Sequence, residues 1–203
     1  MSLFSKLFGK KTSQNEERIK AEKRGKYMPE IKLPIDEQFT INFKKNGGKF
    51  LYCETIEELK HNLKEILIEN DWKNKVGLVL NDEQDTFFKH LNLKTSKQQN
   101  NNIQYFLTNC EYLISDDGSV LISSNQIAEK KLKDLPDNII LYATTSQLVG
   151  NISDGLKGIK QKSTTYIPTN ITAIKHFKTT DDEDFLTYGY SSKNLYLLLL
   201  EDL

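Results

Sequence analysis

The sequence predicts an α/β fold in which a largely parallel sheet is flanked by helices and carries one antiparallel hairpin. Continuous apolar runs of strand length occur at 76–80, 138–143 and 194–200, as expected for strands that are covered on both faces. Segments with apolar residues at helical spacing lie between these runs. Strands that alternate with amphipathic helices are typical of parallel sheets whose strands are joined by crossover helices.

The composition excludes several classes of protein. The chain has 203 residues, with 28 Lys and Arg against 28 Asp and Glu, and a net charge of zero argues against binding to nucleic acid or to acidic membrane surfaces. No apolar run approaches the ~20 residues that a transmembrane helix needs. The two cysteines, Cys53 and Cys110, form no CxxC motif and are too few for a disulfide framework or a cluster site. We therefore expect a reduced, cytoplasmic protein that carries no metal or cofactor of its own.

The chain is expected to divide into a basic N-terminal segment and linker at 1–35 and an α/β domain at 36–203. Lysine and arginine are frequent in 6–26, which shows little hydrophobic periodicity. The first residues would place four apolar side chains on one face of a short helix, namely Leu3, Phe4, Leu7 and Phe8. This helix could dock on a membrane surface or a partner, or it could be a frayed terminus.

The first half of the domain alternates helices and strands. Phe39 and Phe43 have helical spacing, and Asn-Gly-Gly at 46–48 ends that helix before a strand at 49–53. Thr55 and Glu58 form a capping box for the next helix, whose apolar face comprises Ile56, Leu59, Leu63, Ile66 and Leu67. After the run at 76–80, Asn81 and Gln84 can cap a short helix that carries Phe87, Phe88 and Leu91. Residues 93–102 have the composition of a loop, whereas 103–107 could be helix or strand.

The strongest local signal is a hairpin at the centre of the chain. Asp117-Gly118 lies between the apolar runs 112–114 and 120–122, and glycine and aspartate both tolerate the left-handed conformation that tight hairpin turns require. The turn brings together the polar residues Ser115, Asp116, Asp117 and Ser119. These residues could form the rim of a ligand site or an ordinary solvated hairpin tip.

The second half continues the alternation. Residues 127–135 give a short helix or a polar excursion before the strand at 138–143. Thr144, Thr145 and Ser146 follow that strand and offer hydroxyl N-caps to a helix with the apolar face Leu148, Ile152, Leu156 and Ile159. A strand that leads into a capped helix also has the geometry of an anion site, although plain capping explains these hydroxyls equally well. Residues 164–167 are expected to form another strand before the final one at 194–200.

Common catalytic motifs are absent from the sequence. It contains no Walker loop and no GxGxxG, HExxH or GxSxG element. The three histidines, His61, His90 and His176, are far apart and lack the spacing of metal ligands. We therefore expect surface histidines and no metal site.

The central hairpin and the elements around it resemble the LUD domain family, the bacterial lactate-utilization proteins. The resemblance covers about 39–203: Thr108 matches the first threonine of the family's thr-gly-ala-asp segment, and Asp116 stands where the family has a glutamate. Gly118 and Ser119 match the gly-ser/thr of the following turn. The segment 168–173, Pro-Thr-Asn-Ile-Thr-Ala, resembles the family's pro-ser-x-thr-ala with an adjusted register.

The resemblance implies a fold like that of ribose-5-phosphate isomerase, glucosamine-6-phosphate deaminase and the coenzyme A transferases, in which polar groups collect at the carboxyl ends of strands. Family members take part in the oxidation of lactate to pyruvate with partner subunits that carry iron–sulfur clusters. With two cysteines, this chain resembles the short, cluster-free subunit. The candidate binding residues for a small anionic ligand are Thr108, Asp116, Asp117, Gly118, Ser119, Thr144, Thr145, Ser146, Thr169, Asn170 and Thr172.

Three functions are compatible with these observations. The first is a cluster-free, small-molecule-binding component of a cytoplasmic lactate-oxidising system, with an iron–sulfur redox subunit as its partner. The second is a stand-alone enzyme on a sugar phosphate or coenzyme A thioester, with Asp116 or Asp117 as general base and the hydroxyls of 144–146 or 169–172 around an anion. The third is a catalytically degenerate interaction module.

Overall fold

The structure is a computed structural model that describes residues 33–100, 102–163, 166–177 and 193–202. A compact unit spans Pro34–Leu203. The amphipathic segment expected near the N-terminus lies outside the described residues.

The described residues form helices and strands in alternation. The helices are α1 (Ile35–Lys45), α2 (Ile56–Glu69), α3 (Asp82–His90), α4 (Ser124–Ile127) and α5 (Ile152–Lys162), with 3₁₀ turns at Leu132–Asp134 and Thr145–Gln147. The strands are β1 (Lys49–Cys53), β2 (Val76–Leu78), β3 (Thr95–Ser96), β4 (Ile103–Thr108), β5 (Tyr112–Ile114), β6 (Ser119–Ile122), β7 (Asn138–Thr144), β8 (Leu148–Val149), β9 (Thr172–Ile174) and β10 (Asn194–Leu200).

The main sheet has six strands in the order β1-β10-β7-β4-β2-β3, and every neighbouring pair is parallel. The predicted α/β class with a largely parallel sheet is therefore confirmed. The segment 103–107, for which helix and strand were both open, is a strand, and the expected loop at 93–102 contains the short edge strand β3.

Both faces of the main sheet are covered, which explains the continuous apolar runs. Along β10, Leu195, Leu197 and Leu199 pack into one hydrophobic cluster together with Phe39 and Phe43 of α1. Their neighbours Tyr196 and Leu198 point to the other face and pack into a second cluster. That cluster contains the buried stripes of α2 and α3, with Leu59, Leu63, Ile66, Leu67, Phe88 and Leu91.

The predicted hairpin is present but belongs to a second, mixed sheet of order β8-β5-β6-β9. Strands β5 and β6 are antiparallel, with Leu113 opposite Val120. Leu113 and Val120 pack into the cluster around α1, whereas Tyr112 and Ile114 face Ile159 of α5. Apart from Ser119, the strands β5 and β6 are apolar, because α1 packs on one face of the hairpin and α5 on the other.

The expected helix directly after Thr144, Thr145 and Ser146 is wrong in its start and in its apolar face. These residues lead into a 3₁₀ turn, Leu148 and Val149 form strand β8, and α5 begins at Ile152 with Asn151 as its N-cap. Ile152 and Leu156 are exposed. The buried face is Gly155 and Ile159, because glycine at 155 lets the helix approach Ile114 and Leu121 closely.

The strand expected at 164–167 is also wrong for the two residues of this segment that the structure describes. Tyr166 and Ile167 have no strand structure and are exposed, while 164 and 165 lie outside the described residues. The strand forms later in the chain, at Thr172–Ile174, where it pairs with β6. Within the described part of the chain, no helix is long and apolar enough to cross a bilayer.

Candidate functional site

A cleft of about 780 Å³ lies at the carboxyl ends of β2 and β4. The chain proceeds from β2 outward to β3 and then returns to the other side of β2 to form β4, so the order of strands reverses between β2 and β4. Ligands of open α/β sheets bind outside the carboxyl ends of the strands at such a switch point. The cleft is lined by Asn81, Asp82, Glu83, Gln84, Phe87, Phe88, Asn109, Cys110, Glu111, Asn125, Gln126, Tyr142, Gln147 and Lys162.

The wall that follows β2 is the first turn of α3. Asn81 caps this helix as predicted, because its Oδ1 accepts hydrogen bonds from the backbone amides of Glu83 and Gln84 at 2.9 and 3.3 Å. These two amides are therefore occupied by the protein. The Asn81 Nδ2 donates to the backbone carbonyl of Asn125 at 3.2 Å, which ties α3 to α4 on the opposite wall.

The floor of the cleft is a chain of carboxamides centred on Asn109, the first residue after β4. The Asn109 Oδ1 accepts from Gln84 Nε2 at 2.6 Å and from Gln126 Nε2 at 3.1 Å. The Gln126 Oε1 in turn accepts from the Ser123 amide at 2.8 Å. One carboxamide thus fixes the orientation of two others.

Glu111 supplies the carboxylate nearest to this floor. Its Oε1 accepts from Ser123 Oγ at 2.6 Å and from Asn125 Nδ2 at 2.8 Å. Ser123 is fully buried and caps α4, since its Oγ accepts from the Asn125 amide. Glu111 is therefore held by the first turn of α4, and the backbone amide of Glu111 is paired with Leu121 in the hairpin.

Gln84 has a buried oxygen without a partner among the described residues. Its side chain lies in the cleft wall and is 6% exposed. The Nε2 is used in the bond to Asn109, but the Oε1 makes no hydrogen bond within the described part of the protein. Buried polar atoms are almost always paired, so this oxygen has an unused capacity to accept a hydrogen bond.

The remaining walls are aromatic and charged. Phe87 and Tyr142 stack with their ring centroids 4.6 Å apart and are partly exposed to the cleft. Burial raises the pKa of the Tyr142 hydroxyl, and the nearby Asp202 carboxylate adds to this shift. Lys162 is the one basic residue among the described residues of the lining, and its Nζ lies over the ring of Tyr112 at 4.7 Å.

The predicted anion site at Thr144, Thr145 and Ser146 is occupied by a carboxylate of the chain itself. Asp202 Oδ1 accepts from Thr145 Oγ1 at 2.7 Å and from the Ser146 amide at 2.9 Å, and its Oδ2 accepts from Ser146 Oγ at 2.6 Å. Burial acts to raise the pKa of Asp202, but the hydrogen bonds from Ser146 and Thr145 outweigh it and lower the pKa to about 2. An external anion at these hydroxyls remains a prediction.

The same turn is joined to the cleft through Gln147. The Gln147 Oε1 accepts from the Thr144 amide at 2.8 Å, and its Nε2 donates to the carbonyl of Cys110 at 2.6 Å. The carboxyl ends of β7 and β4 are thereby connected. The structure thus places Thr144, Thr145 and Ser146 beside the cleft but not in its lining.

The hairpin turn is covered by α1. Asn42 Nδ2 donates to the carbonyls of Ser115 and Asp116 at 2.8 and 3.0 Å, and Asn46 Nδ2 donates to the carbonyl of Asp117 at 2.6 Å. Gly118 has φ +68°, and a Cβ there would lie 2.3 Å from the backbone carbon of Asn42. The turn is thus an interface with α1.

One of the two carboxyl groups of the hairpin turn is bound by neighbouring side chains, and the other is exposed. Asp117 Oδ1 accepts from the amide and Oγ of Ser119 at 3.0 and 2.7 Å, and Lys175 lies 3.5 Å from its carboxylate. Burial acts to raise the pKa of Asp117, but the Ser119 bonds and Lys175 lower it overall. Asp116 is exposed. Neither aspartate lines the cleft.

The other predicted residues do not line the cleft. Thr108 is buried at the end of β4 and donates to the carbonyl of Asn109 at 3.1 Å. The amide of Thr169 donates to Ser124 Oγ at 3.0 Å, and the carbonyl of Thr169 accepts from the Ser124 amide at 2.8 Å. Asn170 and Thr172 are exposed and are linked by a bond from Thr172 Oγ1 to the Asn170 carbonyl.

The sequence analysis did not select most of the residues that line the cleft. Their signal is the position of a carboxamide or carboxylate just after a buried strand, as with Asn81 after β2 and both Asn109 and Glu111 after β4. Because parallel strands end at one edge of the sheet, such residues are brought together. The other side chains, such as Gln126 and Gln147, lie on short helical turns. No local sequence pattern predicts where these turns lie in the fold.

The thiols of the chain have no metal-binding surroundings in the described structure. Burial raises the pKa of Cys53 to about 11 and raises that of Cys110 further. Among the residues that the structure describes, no group of three or more His, Cys, Asp or Glu side chains is placed to hold a metal ion.

The parallel sheet, the switch point and the cleft define an α/β protein of the kind that carries its ligand site at the carboxyl edge of the sheet. The family model of the LUD domain matches residues 37–200, and the chain therefore belongs to the LUD domain family. The predicted family is confirmed.

A solved structure has the same fold. The chain is similar to the crystal structure of a DUF162 family protein from Deinococcus radiodurans, with a TM-score of 0.58, 14% sequence identity, and coverage of 82% of this chain and 96% of that chain. At this identity the likeness shows the fold alone. A comparison with curated proteins gives no match.

Proposed function

We propose that this LUD-domain protein is a cluster-free, small-molecule-binding component of a cytoplasmic lactate-oxidising system. In this role it binds its ligand in the cleft at the carboxyl ends of β2 and β4, and its partner is a subunit that carries iron–sulfur clusters. Membership of the LUD domain family supports the metabolic context. The observation that carries the binding role is the cleft itself, with its ordered carboxamide floor.

The two cysteines favour this role over that of an electron carrier. Cluster ligands are thiolates, usually four for each cluster, whereas the chain has two cysteines in total. Cys53 is at the end of β1 and Cys110 follows β4, and both are buried. Electrons are then transferred by the partner, and this chain supplies a binding site.

The site resembles a binding cleft more than an acid–base centre. The acidic residues proposed as general bases, Asp116 and Asp117, lie on the turn beneath α1, and the second is held by Ser119 and Lys175. Within the cleft, the Glu111 carboxylate accepts bonds from Ser123 and Asn125. This arrangement orients a carboxylate to accept hydrogen bonds from a ligand.

Two experiments test the proposal: co-purification of the partner subunit, and growth of a deletion strain on lactate. The tagged full-length chain, expressed at its native level, is expected to recover a cysteine-rich redox subunit from cells grown on lactate. Deletion of the gene is expected to slow growth on lactate and to leave growth on glucose unchanged, with restoration by the intact gene. Normal growth on lactate after deletion, together with recovery of no cysteine-rich subunit, contradicts the proposal and favours an unrelated interaction module.

A further inference from the structure

The cleft has an excess of hydrogen-bond acceptors. We propose that it binds an uncharged ring compound rich in hydroxyl or amide donors, such as a sugar or a nucleoside, and that it discriminates against the phosphorylated or carboxylated form of the same compound. This inference rests on the proposed binding role and specifies its ligand. It differs from the small anion that the sequence led us to expect.

The first argument is the unpaired oxygen of Gln84. Its Oε1 is buried and has no partner among the described residues, and the bond from its Nε2 to Asn109 at 2.6 Å fixes which end of the carboxamide is left unpaired. An unpaired buried acceptor costs about the desolvation energy of the group. A ligand hydroxyl or N–H that reaches this oxygen removes that cost. A phosphate or carboxylate oxygen of a ligand would instead be repelled by the Gln84 oxygen.

The second argument is that few of the usual anion-binding groups are free among the described lining residues. The amides of Glu83 and Gln84 at the start of α3 are capped by Asn81. Among the lining residues that the structure describes, the one cation is Lys162, and its Nζ lies 4.7 Å from the ring centroid of Tyr112.

The third argument is the charge of the walls. The lining includes three carboxylates, Asp82, Glu83 and Glu111, against the single Lys162. Asp82 is paired with Lys97, which leaves two carboxylates and one ammonium. Like charges placed opposite each other in a binding site lower affinity strongly.

The fourth argument is the aromatic wall. Phe87 and Tyr142 stack on each other and line the cleft next to the carboxamides. An apolar wall beside a few well-placed polar groups is the usual composition of a small-molecule site. A ring with polar substituents at its edge can pack on the aromatic wall while its donors reach Gln84 and Glu111.

The test compares neutral compounds with their charged forms on the full-length protein. The probes are ribose, glucose, myo-inositol, adenosine and uridine, with ribose 5-phosphate, glucose 6-phosphate, AMP, UMP and lactate as the anions. At about 10 mM, ten times a Kd of 1 mM, at least one neutral probe is expected to raise the unfolding midpoint by roughly 3–6 °C. Its charged form is expected to raise it less. Flat responses to all neutral probes, or a larger response to the anions, overturn the inference.

Two variants locate the binding in the cleft. Gln84→Met roughly keeps the volume and removes both the unpaired Oε1 and the Nε2 that donates to Asn109, and it is expected to weaken binding of the neutral probe by about tenfold. Gln98→Met, at an exposed position outside the lining, is the matched control and is expected to bind normally. Equal binding by both variants places the probe elsewhere and contradicts the inference.

A double variant tests whether the carboxylates of the cleft cause the discrimination against charged ligands. Glu83→Gln with Glu111→Gln is expected to reduce the discrimination between the neutral probe and its phosphorylated form by about tenfold. Glu65→Gln with Glu69→Gln removes the same charge from the exposed side of α2 and is expected to leave the discrimination unchanged. None of these binding measurements depends on the redox partner, so a failed partner recovery refutes the metabolic role and leaves the ligand class open to this separate test.

Discussion

The carboxylate of Asp202 is hydrogen-bonded to both the amide and the hydroxyl of Ser146, at 2.9 and 2.6 Å. Asp202 lies just beyond β10, and Ser146 lies just beyond β7, its neighbour in the main sheet. These two neighbouring strands are thus joined to each other at their carboxyl ends by a side chain that accepts several hydrogen bonds.

Replacing this carboxylate is expected to lower stability in a pH-dependent way. Asp202→Asn is predicted to reduce the free energy of unfolding by about 1 kcal/mol at pH 7, a value discounted for the exposure of the group. The pKa is lowered in the folded state from its ordinary value of 3.8 to about 2, so the stabilisation is present above pH 3.8 and is lost as the pH falls through 2. Urea unfolding between pH 2 and pH 7 measures this difference.

The control for that measurement is Asp134→Asn, at an exposed aspartate in the 3₁₀ turn Leu132–Asp134. This variant is expected to differ from the wild type by less than about 0.5 kcal/mol at pH 7. A difference between Asp202→Asn and wild type that does not shrink on acidification would show that the carboxylate is not the stabilising group.

Gly118 is predicted to tolerate no side chain. Its φ of +68° disfavours other residues, and a Cβ would overlap the backbone of Asn42 and Phe43 at 2.3 Å, where no flexible group can move aside. Gly118→Ala is therefore expected to cost about 3 kcal/mol or more, measured by thermal or urea unfolding. Gly150→Ala is the matched control, since its Cβ would meet only Asp154 Oδ2 at 3.8 Å, and a similar loss in both variants would refute the steric explanation.

The side chain of Asn42 is expected to hold the hairpin against α1. It donates to two backbone carbonyls of the turn, those of Ser115 and Asp116. Asn42→Ala leaves both carbonyls without this donor and is predicted to lower the free energy of unfolding by about 1–3 kcal/mol. Lys45→Ala, at an exposed position of the same helix, serves as the control and is expected to have an effect within about 0.5 kcal/mol.

Ser123 is predicted both to stabilise the fold and to hold the Glu111 carboxylate in its position in the cleft. Its hydroxyl is buried, caps α4 and donates to Glu111. Ser123→Ala is expected to cost about 1–2 kcal/mol of unfolding free energy and to release the Glu111 carboxylate, which NMR of ¹⁵N-labelled protein would detect as shifts at Glu111 and Asn125. Shifts restricted to α4 would show that the hydroxyl only caps the helix, and Ser153→Ala at an exposed site controls for loss of a hydroxyl.

The sequence was sufficient to predict the class of fold because most of the strands here are continuous apolar runs. The run at 194–200 alternates its side chains between the two hydrophobic clusters, so burial on both faces is visible in composition alone. The caps of α2 and α3 were also visible, since Thr55 and Asn81 bond to amides two or three residues ahead. These features depend on neighbours in the sequence.

The errors have a common physical origin in contacts between distant residues. The apolar side chains Leu148, Ile152 and Leu156 have helical spacing, but pairing of 148–149 with β5 delays the helix, and Gly155 redirects its buried face. Asn42 and Asn46, at and just after the end of α1, donate to carbonyls of the polar hairpin turn, a contact between distant residues that the sequence does not indicate. The cleft could not be assembled from the sequence, because Gln84, Asn109 and Gln126 meet only in three dimensions.

The position of β10 in the sheet has a consequence for the order in which the protein can fold. This strand comes after all the other described strands in the chain, yet it lies between β1 and β7 and is the only strand paired with β1 in the described structure. Its Tyr196 is 147 residues away from Lys49, to which it is hydrogen-bonded. During synthesis on the ribosome β1 therefore has no strand to pair with until β10 is made. The pairing of the main sheet is completed only after residues 194–200 have emerged. Contacts at such sequence separation are formed slowly, and the unpaired edges meanwhile are the part of the nascent chain that most needs protection from aggregation.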